Sequence, residues 1–122
     1  MKNKYLLNYD LELKKNISEI TSISIDVDYE VVKNKVFGEF TIEGTYKSHG
    51  LSMNQDDFYK DIEFTQYIDE DGDPDTVTLE ITNFEYVINA NVICASIEYV
   101  INYNKMIKEY DDMEEFNRFL DQ

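Results

Sequence analysis

The chain has 122 residues and carries 26 Asp plus Glu against 11 Lys plus Arg, a formal net charge of -15. That length fits one domain, and a 43% hydrophobic composition with 10 Tyr and 7 Phe supplies a core, which excludes an acidic disordered segment. The charge argues against binding a nucleic-acid backbone, which needs clustered Lys and Arg, and against docking on an anionic membrane. No run of about 18 apolar residues is present to span a bilayer.

Met1 to Leu7 is charged and short of apolar length, so it does not read as a signal peptide. Tyr5, Leu7, Tyr9, Leu11 and Leu13 alternate with mostly polar neighbours, the period of a half-buried strand. Asn16 to Thr21 reads as a short helical turn. Ile23, Ile25, Val27, Tyr29 and Val31 alternate again, with Ser24, Asp26, Asp28 and Glu30 facing the other way. Lys33-Asn34-Lys35 is a short polar break. Val36, Gly38, Phe40, Ile42, Gly44 and Tyr46 then resume the pattern, so the two runs form a hairpin.

His49 to Asp57 is polar and reads as a loop. Phe58, Ile62, Phe64 and Ile68 mark the next strand, and the acidic stretch Asp69 to Asp75 ends it. Val77, Leu79 and Ile81 begin another. At Asn83-Phe84 the phase shifts to Phe84, Tyr86 and Ile88, which predicts a bulge or kink. Asn89-Ala90-Asn91 is a turn, and Ile93, Ala95, Ile97, Tyr99, Ile101 and Tyr103 share one face of the last strand. After Asn104, a plausible N-cap, Met106, Ile107, Tyr110, Met113, Phe116, Phe119 and Leu120 follow helical spacing. The expected fold is all-β, about six mostly antiparallel strands in a β-sandwich or partly open barrel, with one C-terminal α-helix. The β-rich domain spans residues 1–103, and the amphipathic helix, residues 104–122, packs on it or reaches a partner.

The sharpest local feature is the acidic loop. Asp69, Asp71, Asp73 and Asp75 alternate, and Glu80 is twelfth counting from Asp69, a spacing that resembles a Ca²⁺ loop. Pro74 stands at the sixth position, where the sharp turn needs Gly, and Val77 to Leu79 reads as strand. A solvated strand connection is the competing reading. His49, the single histidine, makes no zinc site without cysteines beside it and reads as an exposed loop residue. Cys94 shares its face with Val92 and Val100 and reads as a small hydrophobe, since a nucleophile needs electropositive neighbours. One cysteine forms no intrachain disulfide, which points to a reducing, cytoplasmic setting. The carboxylate pairs Asp26 with Asp28 and Glu39 with Glu43 sit on strand faces that read as solvated. No Gly-rich phosphate loop, nucleophile elbow or metalloprotease helix is present. The residues therefore indicate no enzyme and no cofactor.

Three stretches resemble a known family. Ile17 to Asp28, Val36 to Tyr46 with its V-x-G-x-h-x-h-x-G-x-Y pattern (h apolar), and Ile62 to Ile68 resemble the SPOCS domain. This is the β-rich module of spore-envelope morphogenetic proteins, and Ile17 to Asp28 resembles its opening in the stage-six sporulation protein D type. Asn83 to Ile88 and the strand after it fit the domain's end, so the resemblance covers about 85 of the 122 residues. Such proteins usually carry a peptidoglycan-binding LysM module or several SPOCS copies. Neither is in this sequence, so the chain is expected to be an excised domain or a single-domain relative. The resemblance implies a non-catalytic scaffold that recruits coat or envelope proteins at the developing spore, and it transfers no catalytic residue.

The expected function is a protein–protein interaction module working through edge strands or a sheet face, with a protein partner or with itself as a homo-oligomer. Tyr99, Tyr103, Tyr110, Phe116 and Phe119 are the candidate contact residues, because aromatics dominate interface energetics. The alternative is a small acidic inhibitor that mimics nucleic acid and occupies a basic groove of an enzyme.

Overall fold

Among the described residues the alternation folds into six strands: β1 (Lys2–Glu12), β2 (Ile17–Val32), β3 (Lys35–Ser48), β4 (Gln55–Tyr67), β5 (Thr78–Asn89) and β6 (Val92–Asn102), with one 3₁₀ turn at Pro74–Thr76. This computed structural model describes residues 1–49 and 55–106. The strands form two antiparallel three-stranded sheets, ordered β1-β6-β5 and β2-β3-β4.

The strictly alternating residues become the two inner faces. Ile93, Ile97 and Ile101 on the central strand β6, and Val36, Phe40 and Ile42 on the central strand β3, are fully buried. Burial of each such side chain contributes about 1.5–3 kcal/mol relative to exposure. Tyr99 joins the sheets: its ring centroid lies 4.9 Å from Phe40, 5.7 Å from Phe64 and 5.2 Å from Tyr5. No buried side-chain polar atom lacks a partner among the described residues.

Two connections cross between the sheets. At one end Leu13 donates its N–H to Asn91 O (2.8 Å), and Asn91 Nδ2 donates back to Leu13 O (2.8 Å). At the other, Ile68 N–H bonds Asn34 O (2.8 Å) and Asp73 N–H bonds Asn104 O (2.8 Å). The β2–β3 and β5–β6 hairpins turn through Lys33 and Ala90, each at φ 56°.

Several expectations are corrected. Ile17 already begins β2, so no helical turn occupies Asn16 to Thr21; two register shifts between Ile17 and Ser22 absorb the irregular spacing instead. The polar break before β3 is a two-residue turn, because Lys35 is in the ladder opposite Val32. β4 starts at Gln55, inside the expected loop, since its pairing with Lys47 satisfies its backbone despite polar side chains. Asn104 opens no helix among the described residues. Its neighbour Lys105 makes an antiparallel bridge to Gly72, and Met106 N–H bonds Asp71 O at 2.7 Å. The helix expected beyond lies outside the described residues. The bulge near Asn83 is present as a register shift between Ile81 and Asn83.

Candidate functional site

The two candidate contact residues that fall within the described chain are interior. Tyr99 is 2% exposed and Tyr103 is 3% exposed. Tyr99 accepts a hydrogen bond from Gln66 Nε2 at 2.9 Å, and burial pushes its phenol above the ordinary value while that bond pulls it down. Tyr103 donates to Asp69 Oδ2 at 2.9 Å. Both complete the core instead of presenting a surface, because β6 is the central strand of its sheet and its inward face is covered by the other sheet. Tyr110, Phe116 and Phe119 lie outside the described residues.

The acidic loop is dispersed by its local structure. Asp69 is taken by the Tyr103 hydroxyl. Asp71 faces Lys105 at 3.7 Å, and Asp73 caps the 3₁₀ turn by accepting from Asp75 N–H at 3.0 Å. Glu80 stands on β5 opposite Val100. Among the described residues no group of three or more metal-ligating side chains converges. The alternating spacing that resembles a Ca²⁺ loop is therefore spent on a crossing connection. His49 is exposed in a bend whose N–H bonds Asn16 O at 3.3 Å. Cys94 is half-buried, and its thiol is pushed up by burial first and then by the hydrogen bond and charge of Asp10. That direction disfavours the thiolate.

Two surface arrangements emerge that the sequence did not single out. The first is an acidic sheet face. Register places Asp28 opposite Glu39 and Glu39 opposite Glu63, a row of three carboxylates across β2, β3 and β4. Asp26 and Asp61 flank Thr41 in the next such row, and the Thr41 hydroxyl donates to Asp61 at 2.6 Å. A shallow depression of about 500 Å³ lies over the first row, with Phe37 and Gly38 in its lining. Sequence pairing had joined Glu39 to Glu43, but cross-strand register, not chain proximity, sets the neighbours.

The second is a pair of sheet edges. β5 and β2 are terminal strands of their sheets and run side by side. They are tied at both ends: Ile17 N–H bonds Ala90 O at 2.9 Å, and Leu79 N–H bonds the Tyr29 hydroxyl at 3.2 Å. Between these ties no ladder joins them among the described residues. On β5, Tyr86, Val87 and Ile88 are 37%, 68% and 38% exposed. Three consecutive apolar residues at the end of a strand are the sequence signal for this edge. A wider cleft of about 680 Å³ separates β1 from β4, bridged by Lys15 to Asp56 at 3.2 Å and by Lys60 over the Tyr9 ring.

Comparisons with protein-family models, with curated proteins and with solved structures find no match. No helix among the described residues is long and apolar enough to cross a membrane.

Proposed function

We propose that the chain is a non-catalytic protein–protein interaction module, SPOCS-like in sequence, that serves as a scaffold in spore coat or envelope assembly inside the developing cell. The observation that supports it is the pair of open sheets with exposed apolar residues on an edge strand, since unpaired strand edges are templates for another chain. Size-exclusion chromatography with light scattering at low and high salt, joined to a pull-down from sporulating cells, tests it. A scaffold self-associates or retains coat proteins. Alanine at Phe116 and Phe119 then weakens assembly while the far-ultraviolet signal stays. A monomer at every salt concentration that retains nothing refutes it.

A second reading is an acidic protein that occupies a basic groove normally filled by nucleic acid. The row Asp28, Glu39 and Glu63 favours it, because successive carboxylates on one face offer charge spaced along a surface. Binding to a nucleic-acid enzyme that falls steeply with salt, and is lost when Glu39 is replaced by Lys, distinguishes this reading from the first.

A further inference from the structure

We propose that the seam between β2 and β5 takes an extended segment of another protein, with apolar residues alternating with Lys or Arg, as an added strand on the β5 edge. The inference rests on the interaction-module reading and names the surface and the partner's chemistry.

A ladder would hold the two edges about 4.8 Å apart. At Leu79 the hydrogen-bond partner is instead the tip of a tyrosine side chain reaching over from β2, so a whole phenol stands between the backbones. At the opposite end the Ile17–Ala90 bond closes the seam. Between these ties no backbone ladder joins β2 to β5 among the described residues.

Its lining is apolar on the inner side. Ile20, Ile23, Ile25 and Val27 of β2 are half-buried, as is Phe84 of β5, and Tyr86 and Ile88 continue the same face into solvent. The Phe84 and Tyr86 rings lie 6.2 Å apart. Apolar side chains at alternate positions of an incoming strand would cover this face.

The rim is acidic without exception. β2 contributes Glu19, Asp26, Asp28 and Glu30, β5 contributes Glu80 and Glu85, and neither strand contains a Lys, Arg or His. Edge strands are usually guarded by lysine. Here the guards are carboxylates, which repel a second copy of a chain carrying -15 but attract the remaining alternate positions of a strand bearing cations. The other open seam differs on this point. β1 and β4 carry as many carboxylates, Asp10, Glu12, Asp56, Asp57, Asp61 and Glu63, but Lys2, Lys4 and Lys60 offset half of them, and the Lys15–Asp56 pair spans the gap. Charge complementarity therefore selects the β2/β5 seam for a basic partner.

The test titrates the full chain with an end-blocked peptide of about nine residues alternating lysine and valine, enough to follow the open length. Comparison peptides replace the lysines by glutamates or the central valines by prolines. The lysine peptide is expected to bind, to protect the amides of Phe84 to Ile88 from exchange, and to lose about tenfold in affinity in Tyr86→Lys/Ile88→Lys. Glu85→Lys, which leaves the apolar face intact, is expected to weaken it several-fold and to flatten the salt dependence. Equal binding of the proline peptide, or protection on the Asp28–Glu39–Glu63 face instead, overturns the seam and leaves the interaction module standing. Preference for the glutamate peptide, or dimerisation through β5, overturns the choice of a basic partner. No binding of any peptide overturns the seam, whereas the module itself falls only if the light-scattering and pull-down test also fails.

Discussion

Replacing Gly38 by Ala is expected to destabilise the protein by about 2–6 kcal/mol. Gly38 sits on the central strand β3, opposite Tyr29 of β2. A Cβ built there meets Asp28 O at 2.0 Å, Tyr29 Cα at 2.7 Å and Asp28 C at 2.9 Å, all backbone atoms of the neighbouring strand. Ordinary contact begins near 3.4 Å, so β2 must retreat by roughly 1.4 Å (3.4 less 2.0) along the line of the closest clash. No rotamer relieves it, because none of the three atoms belongs to a side chain. Retreat by that distance takes the nearest ladder bonds out of hydrogen-bond range. Two lost bonds cost about 0.5–1.5 kcal/mol each, and forced backbone movement adds about 1–3 kcal/mol. Gly72 is the internal control. There the nearest atom is Ile68 Cδ1 at 2.8 Å, the end of a flexible side chain, so Gly72→Ala is expected to cost about 1 kcal/mol. Urea unfolding of both variants against the parent chain gives the comparison directly. A Gly38→Ala loss no larger than that of Gly72→Ala refutes the close approach of β2 and β3.

Tyr99→Phe keeps the ring contacts with Phe40 and Phe64 but removes the acceptor of Gln66 Nε2, and is expected to cost about 1 kcal/mol by urea unfolding. Glu39→Gln removes the middle charge of the row formed with Asp28 and Glu63, and is expected to stabilise by about 0.5 kcal/mol at low salt. The gain should shrink at about 1 M salt, because like charges directly opposite are destabilising and are screened. Glu98 is held below its ordinary value of 4.5 by Lys4, whose Nζ lies 2.7 Å away. A lowered folded value means stability that is complete above 4.5 and is lost as pH falls through the folded value. Lys4→Met should therefore move the Glu98 titration, followed by carbon-13 NMR, upward toward the ordinary range.

The β architecture was legible because burial on one face writes itself as a period of two. The hairpin at Lys33, the bulge near Asn83 and the inward set Ile93 to Tyr103 all follow from that rule. What the period does not carry is which strands lie together. Asp28 and Glu39 are eleven positions apart (39 less 28), and only the β2–β3 register makes them neighbours. Tyr99 and Tyr103 were misread as contact residues for a related reason. A long alternating aromatic strand looks excessive for one sheet but is needed when a second sheet must be filled from the central strand. The acidic loop is the solvated strand connection that competed with the Ca²⁺ spacing, because Asp serves turns and caps as readily as it binds cations, and here Asp69, Asp71 and Asp73 each have a separate local task. The β5 edge was visible as Tyr86-Val87-Ile88, but its meaning depends on the lack of a second ladder on β5 among the described residues, which no local pattern encodes.

At neutral pH the -15 charge opposes pairing of copies through β5, where Tyr86, Val87 and Ile88 are exposed on a strand with no lysine. Carboxylates protonate as pH falls toward the isoelectric point near 4.2, and the repulsion goes with them. The apolar edge does not titrate. Light scattering at about pH 4.5 is therefore expected to show masses above those at pH 7 while the far-ultraviolet strand signal is retained, which separates edge pairing from acid unfolding. Tyr86→Lys/Ile88→Lys restores the usual guard of an edge strand and should hold the mass at its neutral-pH value. Association of that variant to the same extent as the parent chain refutes the edge as the adhesive surface. An unchanged mass in the parent chain shows instead that the ties at Ile17 and Tyr29 shield β5 without help from charge.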